Sequence, residues 1–261
     1  MVAEVSKVRA MGAAEGCQWL VSKDEVDMTR IPRPVRPMRV KADPQTIVVD
    51  ASKTALLVVD MQNDFCTQGG WLDVIGVDYR LDRTPIEPLS QLVPKFRASH
   101  IPIIWLNWGV RPDLLNIAPS VLHAHSPKGE RVGLNELTPA HQSHVLRKGD
   151  WGAAIVDELN PGDRDIQVTK HRFSGFWDTE LDSILRNLGI TTLLMGGVNM
   201  DQCVLSTFQD ATFLGYDCIL VQDCSATTSP DFCIESSLYN VKLLYGFITQ
   251  SADLLTALAQ L

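Results

Sequence analysis

The chain has 261 residues, of which 45% are hydrophobic and 21% charged, and its formal net charge is −8 at pH 7. This length is enough to bury one large core, and the acidic balance, without a long run of either sign, argues against nucleic acid or a membrane surface as partner. Six widely spaced cysteines without a CxxC pair, a charged N-terminal region and no apolar run of bilayer-spanning length predict a cytoplasmic protein with free thiols.

Residues 1–50 are predicted to form an N-terminal extended arm, separate from a domain over residues 51–261. The arm contains IPRPVRP (Ile31–Pro37), in which proline at alternate positions enforces an extended path and prevents helix formation. We expect the arm to lie on the domain or on a neighbouring subunit. A targeting or disordered segment is the alternative.

From Ala55 onward, apolar strands alternate with helical segments. Strands are predicted at 55–60, 101–107, 166–170, 191–198, 218–223 and 243–249. Helices are predicted at 85–99 (with a kink or late start at Pro94), 179–187, from 202 to Gly215, 231–242 and 251–261, the last with Ser251 as N-cap. Strands that are apolar on both faces and alternate with helices are typical of a mostly parallel sheet covered on both sides. The sequence therefore predicts an α/β fold around a six-stranded sheet.

The stretch TTLLMGGVNMDQCVLSTFQD (Thr191–Asp210) places Cys203 where a buried strand gives way to a helix. A thiol in the first helical turn faces the positive end of the helix dipole and unpaired backbone N–H groups, and both favour the thiolate. This predicts a nucleophile. A small buried residue that packs at the helix start is the alternative interpretation.

Two more reactive side chains stand at strand ends, Asp60 after the first strand and Lys170 at the end of the third. Ligands bind at the carboxyl ends of the strands in such sheets, so these two residues and Cys203 are expected to converge at one edge. Each residue alone could be a helix cap or a solvated charge. Together they favour an activated cysteine.

Three motifs resemble those of the isochorismatase-like cysteine hydrolases: VVDMQNDF (Val58–Phe65), KHRFSGFWDTELDSIL (Lys170–Leu185) and GVNMDQCV (Gly197–Val204). The resemblance extends from about Ala55 to the end of the chain and leaves the arm unmatched. It implies a Rossmann-like three-layer sandwich with a mostly parallel sheet.

The resemblance also implies a catalytic triad of Cys203, Asp60 and Lys170, the same residues that stand at the strand ends. It further implies a cis peptide at Val198–Asn199 that turns backbone N–H groups near Asn199 and Cys203 toward one point. Such an arrangement would form an oxyanion hole.

Within the family, the chain looks most similar to the ureidoacrylate amidohydrolases, through GGWLDVIGVD (Gly69–Asp78), IIWLNWG (Ile103–Gly109) and KGDWGAAIVDEL (Lys148–Leu159). Biuret and triuret hydrolases are near relatives with the same triad. The resemblance implies a cofactor-independent cysteine amidohydrolase that releases ammonia from a small ureide through a thioester. Biuret, triuret or another small carboxamide is the alternative substrate, and a catalytically idle interaction module is the alternative from another class.

The related nicotinamidases carry an Asp-x-His-x-His metal site after the second strand, whereas this chain reads LNWGVRPDLLN (Leu106–Asn116) there. The remaining candidates, His123, His125, His141 and His144, lack a carboxylate or cysteine at metal-binding spacing. We therefore predict that the site needs no metal or other cofactor, and that these histidines are structural or solvated.

The predicted substrate pocket is aromatic and rich in amides, which suits planar, urea-like groups. Its predicted members are Gln62, Asn63, Asn107, Trp108, Trp151, Arg172, Phe173, Phe176, Trp177 and Gln202. Loop tryptophans that seal subunit contacts are the alternative, and a homo-oligomer, dimer or tetramer, is expected. Arg172 could bind a substrate carboxylate or make a plain ion pair, and Arg80, Arg83 and Arg111 are further candidates.

Overall fold

The computed structural model of the protein describes residues 8–261 and begins with short strands. Their bounds are β1 (Arg9–Met11), β2 (Trp19–Val21), β3 (Val26–Asp27), β4 (Pro37–Val40) and β5 (Ile47–Asp50). Strands β1 to β3 form an antiparallel sheet, and β4 pairs with β5 in a hairpin. The sequence pattern predicted an extended path for this part of the chain but did not predict the pairing.

The central sheet contains six strands, and all its neighbouring pairs are parallel. Its strands are β6 (Thr54–Val59), β7 (Ile103–Trp108), β10 (Ile166–Lys170), β11 (Thr192–Gly197), β12 (Asp217–Ser225) and β13 (Gly246–Thr249). The long connection between β7 and β10 contains a small separate hairpin of β8 (Leu137–Thr138) and β9 (Ser143–His144). The spatial order is β10-β7-β6-β11-β12-β13. The predicted α/β fold with a six-stranded parallel sheet is confirmed.

Helices connect and flank these strands. They are α1 (Asn63–Cys66), α2 (Trp71–Val74), α3 (Ile86–Ala98), α4 (Pro119–His125), α5 (Leu181–Leu188), α6 (Leu205–Phe213), α7 (Asp231–Asn240) and α8 (Ser251–Leu258). Helix α3 runs through Pro94 without interruption, so the predicted late start there is wrong. Ser251 is the first residue of α8 and its hydroxyl donates to Asp223, so the predicted Ser251 N-cap is also wrong.

The strands at the middle of the sheet are buried along their whole length. Every residue of β6, β7 and β11 is buried, including those that point to opposite faces of the sheet. A strand has this pattern only when helices cover both faces, which explains the continuous apolar runs in the sequence. The result is a three-layer arrangement with its core on the two sides of β6 and β11.

The strand order reverses between β6 and β11, because the chain first adds strands on one side of β6 and then on the other. In open parallel sheets this reversal leaves a crevice outside the carboxyl ends of the two strands, where ligands bind. The loop after β6 and the turn after β11 therefore meet at the position where a site is expected.

The described part of the arm contacts the domain at several points. Asp43 forms backbone hydrogen bonds in both directions with Ile248 of β13, at 2.8 and 3.0 Å. The Arg33 guanidinium donates to the carbonyl of Leu188, the last residue before the C-cap of the helix over Leu181–Leu188, at 2.7 Å. These contacts tie residues 33–50 to the domain. The division of the chain at residue 50 stays a prediction.

No helix within residues 8–261 is long and apolar enough to cross a membrane.

Candidate active site

Three side chains predicted from strand ends meet at the carboxyl edge of the sheet. Asp60 follows β6, Lys170 ends β10, and Cys203 lies in a π-helical turn (Met200–Val204) after β11. The Lys170 Nζ is 2.7 Å from Asp60 Oδ2 and 3.3 Å from the Cys203 sulfur. All three residues are buried. The fold thus places an ammonium in direct contact with both a carboxylate and a thiol.

Trp108, the last residue of β7, holds this group together. Its backbone N–H donates to Asp60 Oδ1 at 3.0 Å, and its indole N–H donates to the Cys203 sulfur at 3.4 Å. The Lys170 Nζ lies 4.3 Å from the centroid of the Trp108 ring, which is cation–π distance. Trp108 thereby contacts all three groups, Asp60 through its backbone and Cys203 and Lys170 through its ring.

Burial dominates the protonation of the thiol and of the carboxyl. It raises the pKa of Cys203 to about 12, although the Lys170 ammonium lowers it. Burial also raises the pKa of Asp60, and Lys170 again acts in the opposite direction. The sequence pattern predicted that the helix start would favour the thiolate, and the structure corrects this, because removal from water disfavours the charged form. In the resting site Cys203 is a thiol beside a carboxylate of raised basicity.

Close packing between β11 and β6 shapes the turn that carries Cys203. Gly197 has φ +120°, and a Cβ at this position would lie 1.9 Å from the Val59 carbonyl oxygen. Only glycine allows this approach. The chain then passes through a cis peptide at Val198–Asn199, at the position that the resemblance implied, and enters the π-helical turn.

The loop after β12 supports the same turn. The Met200 N–H donates to the Ala226 carbonyl at 2.8 Å, and the Thr228 N–H donates to Asn199 Oδ1 at 3.1 Å. The Asn199 N–H itself has no hydrogen-bond acceptor within residues 8–261. An unused backbone donor near the Cys203 thiol is the feature that an oxyanion hole would require.

Cys203 faces a cavity of about 240 Å³, which is smaller than the pockets that hold drug-sized ligands. Its lining is mainly aromatic and aliphatic, with a smaller number of polar side chains. The lining residues are Phe65, Trp71, Leu72, Ile75, Val77, Trp108, Ala124, His125, Arg131, Phe173, Asn199, Gln202, Cys203 and Thr228. A small, flat, partly polar molecule fits these dimensions and this chemistry.

Some of the residues predicted to bind substrate line this cavity, namely Trp108, Phe173 and Gln202, together with Asn199 and Cys203 of the predicted oxyanion hole. The Phe173 ring meets the Trp108 ring edge-on, with centroids 5.9 Å apart. Val198 is buried behind them.

Gln62 and Asn63 lie beside the site but do not line the cavity. The Gln62 amide donates to the carbonyls of Trp108 and Ala153, at 2.8 and 2.7 Å, and accepts from the Trp108 N–H. The Asn63 amide donates to the Trp151 carbonyl at 2.9 Å. Both side chains are used to position backbone around Asp60 and Trp108.

Asn107 and Trp151 are further away. The Asn107 side chain lines a separate surface depression with Gln167. The ring of Trp151 stacks on His141, with centroids 3.6 Å apart. Alternation along β7 explains Asn107, because neighbouring residues of a strand point to opposite faces and Trp108 occupies the cavity side.

Phe176, Trp177 and Arg172 also point elsewhere. Phe176 packs against Tyr216, and Trp177 is 63% exposed and donates to Asp210. The Arg172 guanidinium is 2.9 Å from Asp178, which is the plain ion pair considered as the alternative.

Several cavity residues were not predicted from the sequence. Phe65, Trp71 and Leu72 come from the loop and short helices after β6, and His125 and Arg131 come from the long connection after β7. The signal for Trp71 and Leu72 was present, since both lie in the GGWLDVIGVD stretch that carried the resemblance. No comparable signal marked His125 or Arg131.

The histidines do not form a metal-binding group. His125 is buried among aromatic rings, and His144 pairs with Asp150 at 2.8 Å. Across residues 8–261 no three His, Cys, Asp or Glu side chains come together as a possible metal site.

The family model of the isochorismatase domain matches residues 54–253. The chain belongs to the isochorismatase family. Among solved structures, a cysteine hydrolase from Pseudomonas syringae pv. phaseolicola superposes with a TM-score of 0.69 at 23% identity, covering 88% of this chain and 99% of that one. N-carbamoylsarcosine amidase from Thermoplasma acidophilum superposes with a TM-score of 0.57 at 28% identity, covering 76% and 96%.

Two curated relatives are named ureidoacrylate amidohydrolase RutB. The one from Azorhizobium caulinodans is 34% identical over 84% of this chain and 96% of its own length. The one from Yersinia enterocolitica is 34% identical over 81% of this chain and 92% of its own length. The predicted membership of the isochorismatase-like family and the resemblance to ureidoacrylate amidohydrolases are confirmed, and so is the prediction of a hydrolase acting on carbon–nitrogen bonds other than peptide bonds.

Proposed function

We propose that this family member is a cysteine amidohydrolase that cleaves a C–N bond of a small ureide, and that its substrate is of the ureidoacrylate type. The observation that carries the proposal is the contact of Lys170 with both Asp60 and Cys203, with the thiol facing a small cavity. The names of the two relatives support the ureide class, and the amidase among the structural neighbours acts on an N-carbamoyl compound by its name.

The first step is attack by Cys203 on the ureido carbonyl carbon. The Asp60 carboxylate takes the thiol proton as the new S–C bond forms, and the nearby Lys170 ammonium stabilises the negative charge in this region. The raised pKa of Asp60 suits this role, because a carboxylate of raised basicity is a better acceptor for a thiol proton than an ordinary one.

The carbonyl oxygen becomes negatively charged during the attack and needs hydrogen-bond donors. The Asn199 N–H, which has no acceptor among the described residues, and the backbone N–H of Cys203 are the proposed donors. One such donor contributes about 3 kcal/mol to transition-state stabilisation in comparable sites.

Ammonia leaves when the C–N bond breaks, and the proton that Asp60 accepted goes to the departing nitrogen. This leaves the acyl group on the Cys203 sulfur as a thioester. Asp60 then takes a proton from a water molecule that attacks the thioester carbonyl. It returns this proton to the Cys203 sulfur as the C–S bond breaks, which releases a carbamate and restores the thiol. These steps use only side-chain and backbone groups of the chain and water.

The cavity supports a planar substrate of this size. Flat rings of Trp108 and Phe173 form its wall, and the amides of Asn199 and Gln202 lie near the thiol. Of the two, only the Asn199 side chain is buried. A buried amide left unpaired costs about 1–3 kcal/mol, so Asn199 should favour ligands that can pair with it.

A panel of substrates tests the proposal by ammonia release. Ureidoacrylate should have the highest kcat/KM, followed by biuret and triuret, with nicotinamide and aliphatic amides far behind. Trapping the enzyme with substrate and measuring the intact mass should reveal an acyl group on Cys203 that is missing in Cys203→Ala. A preference for nicotinamide would contradict the ureide assignment while leaving the triad intact.

We also propose that the protein is a cytoplasmic homo-oligomer, a dimer or tetramer. Large apolar side chains are exposed on the neighbouring elements α6, α7 and the π-helical turn Val241–Tyr245, including Phe213, Tyr239, Leu243 and Leu244. The six cysteines are all free thiols, which supports a reducing compartment. Sedimentation velocity of the pure protein tests the assembly, because a single monomer peak at micromolar concentration would contradict it, and cell fractionation tests the location.

A further inference from the structure

The cavity contains one cationic side chain that the proposed mechanism does not use. Arg131 lines it, and no carboxylate lines it among residues 8–261. The other cation nearby, Lys170, is paired with Asp60 behind the thiol. The lining therefore carries one uncompensated positive charge.

Hydrogen bonds on both sides hold the segment that carries Arg131. The Ser126 hydroxyl donates to the Arg131 carbonyl at 2.8 Å, and the Trp71 indole donates to the Val132 carbonyl at 2.7 Å. The Arg131 Nε donates to the His125 carbonyl at 3.0 Å. The Nε contact orients the guanidinium and leaves its two terminal nitrogens as donors.

The other arginines considered from the sequence differ from Arg131 in one respect, since each already has a carboxylate partner. The pairs are Arg80 with Asp78, Arg83 with Glu158, Arg111 with Asp113 and Arg172 with Asp178, at 2.5 to 2.9 Å. Arg131 makes no ion pair within residues 8–261. It is the arginine whose charge is available to a ligand in the cavity.

His125, next to it, does not share this charge. Its Nδ1 lies 2.8 Å from the Val121 carbonyl, which can only accept, so Nδ1 carries the proton and Nε2 is an acceptor. Burial lowers the pKa of His125, and its ring stacks on Phe173. The ring is therefore neutral, and it can accept a ureide N–H but cannot bind an anion.

We propose that the Arg131 guanidinium binds a carboxylate of the substrate, so that the preferred ureide carries a negative charge at the end remote from the carbonyl that Cys203 attacks. The proposal rests on the proposed ureide hydrolysis and adds the charge of the substrate and the residue that selects it. A guanidinium matches a carboxylate with two parallel N–H donors. Neutral ureides such as biuret then lack this contact.

The test compares an acid with a neutral substrate of the same shape, ureidoacrylate and its methyl ester. Arg131→Gln should lower kcat/KM for the acid about 100-fold, mainly through KM, and change that for the ester less than about threefold. Arg131→Lys keeps the charge but not the two parallel N–H donors, and it should lower kcat/KM for the acid about tenfold. Arg111→Gln, which removes an exposed arginine paired with Asp113, is the matched control. It should leave kcat/KM unchanged for both substrates.

If Arg131 had only a structural role, Arg131→Gln would lower kcat/KM for the acid and the ester equally. Equal losses would therefore overturn the proposal, as would no loss for the acid. Binding to the Cys203→Ser variant by calorimetry separates this failure from failure of the proposed function. If no ureide is hydrolysed but ureidoacrylate binding to Cys203→Ser is lost on adding Arg131→Gln, the carboxylate site stands and ureide hydrolysis falls. If ureides are hydrolysed and Arg131→Gln leaves the preference for acid over ester unchanged, the carboxylate site falls alone.

Discussion

Asp60 and Asp82 are both fully buried carboxyl groups that lie beside a cysteine, and they differ in their partners. Asp60 contacts the Lys170 ammonium and accepts a hydrogen bond from the Trp108 N–H. Neither carboxyl oxygen of Asp82 has a hydrogen-bond partner in the described part of the chain, and the Cys66 thiol donates to its backbone carbonyl instead.

The difference decides what each carboxyl can do. Burial and the negative charge of Asp201 both raise the pKa of Asp82, to about 8, and nothing nearby opposes them, so this group is a neutral acid at pH 7. At Asp60 the rise caused by burial is opposed by Lys170 and by hydrogen bonds. Of these two buried aspartates only Asp60 lies beside a cation, which supports its proposed role as the base.

The largest effect is expected at the cysteines. Cys203→Ser should lower kcat by at least about 1000-fold, because a hydroxyl in this site is a far weaker nucleophile than a thiol. Cys66→Ala, beside Asp82, should keep kcat within about threefold. Residual activity of more than a few per cent in Cys203→Ser would contradict covalent catalysis.

Variants of Asp60 and Lys170 test whether these two residues and Cys203 act as one unit. Asp60→Asn and Lys170→Ala should each lower kcat nearly as much as Cys203→Ser, and the double variant should lose little more than either single one. Asp82→Asn, an isosteric change in the other buried site, should leave kcat nearly unchanged. Additive losses at Asp60 and Lys170 would show that they do not serve the same step.

Alkylation should distinguish the two thiols. Burial raises the pKa of both thiols. Cys203, however, lines the cavity and lies beside Lys170, whereas Cys66 does not line this cavity. Iodoacetamide should modify Cys203 at least about ten times faster than Cys66, in parallel with loss of activity. Peptide mass mapping during the reaction measures both rates, and faster modification of Cys66 would reverse the interpretation.

The pH dependence of stability should reveal Asp82. Its folded-state pKa of about 8 lies above the unfolded value of 3.8, so the folded state binds the proton more tightly and stability falls as pH rises between these values. The slope from this group approaches ~1.4 kcal/mol per pH unit. Asp82→Asn removes it, so the melting temperature of the variant minus that of the wild type should rise from pH 5 to pH 8. If the difference in melting temperature did not change with pH, Asp82 would have to be ionised in the folded state, with a partner that the structure does not contain.

The smallest effect is expected from chelation. No group of three metal-binding side chains exists in residues 8–261, at Asp82 or at the triad. Prolonged dialysis against EDTA should therefore leave both kcat and the melting temperature unchanged. Loss of activity that zinc restores would contradict this prediction, and loss of stability alone would indicate a cation at Asp82.

The sequence by itself determined the layered fold and the positions of the triad. The apolar runs of β6, β7 and β11 are buried on both faces, so they required a covered parallel sheet. Once that sheet is known, Asp60 and Lys170 must lie at its carboxyl edge, because strand direction alone places strand-end residues there. The arm strands, formed by backbone pairing of residues with little periodicity, were beyond the reach of such patterns.

Only the tertiary structure decided which side chains enter the cavity and how they are charged. Trp108 lines the cavity whereas Asn107 does not, and a shift of one residue in β7 would have exchanged them. His125 and Arg131 come from the long connection after β7, whose path depends on contacts such as that of the Trp71 indole with Val132. The protonation of Cys203 likewise depends on its burial by other segments of the chain, because local helix effects are weaker than desolvation.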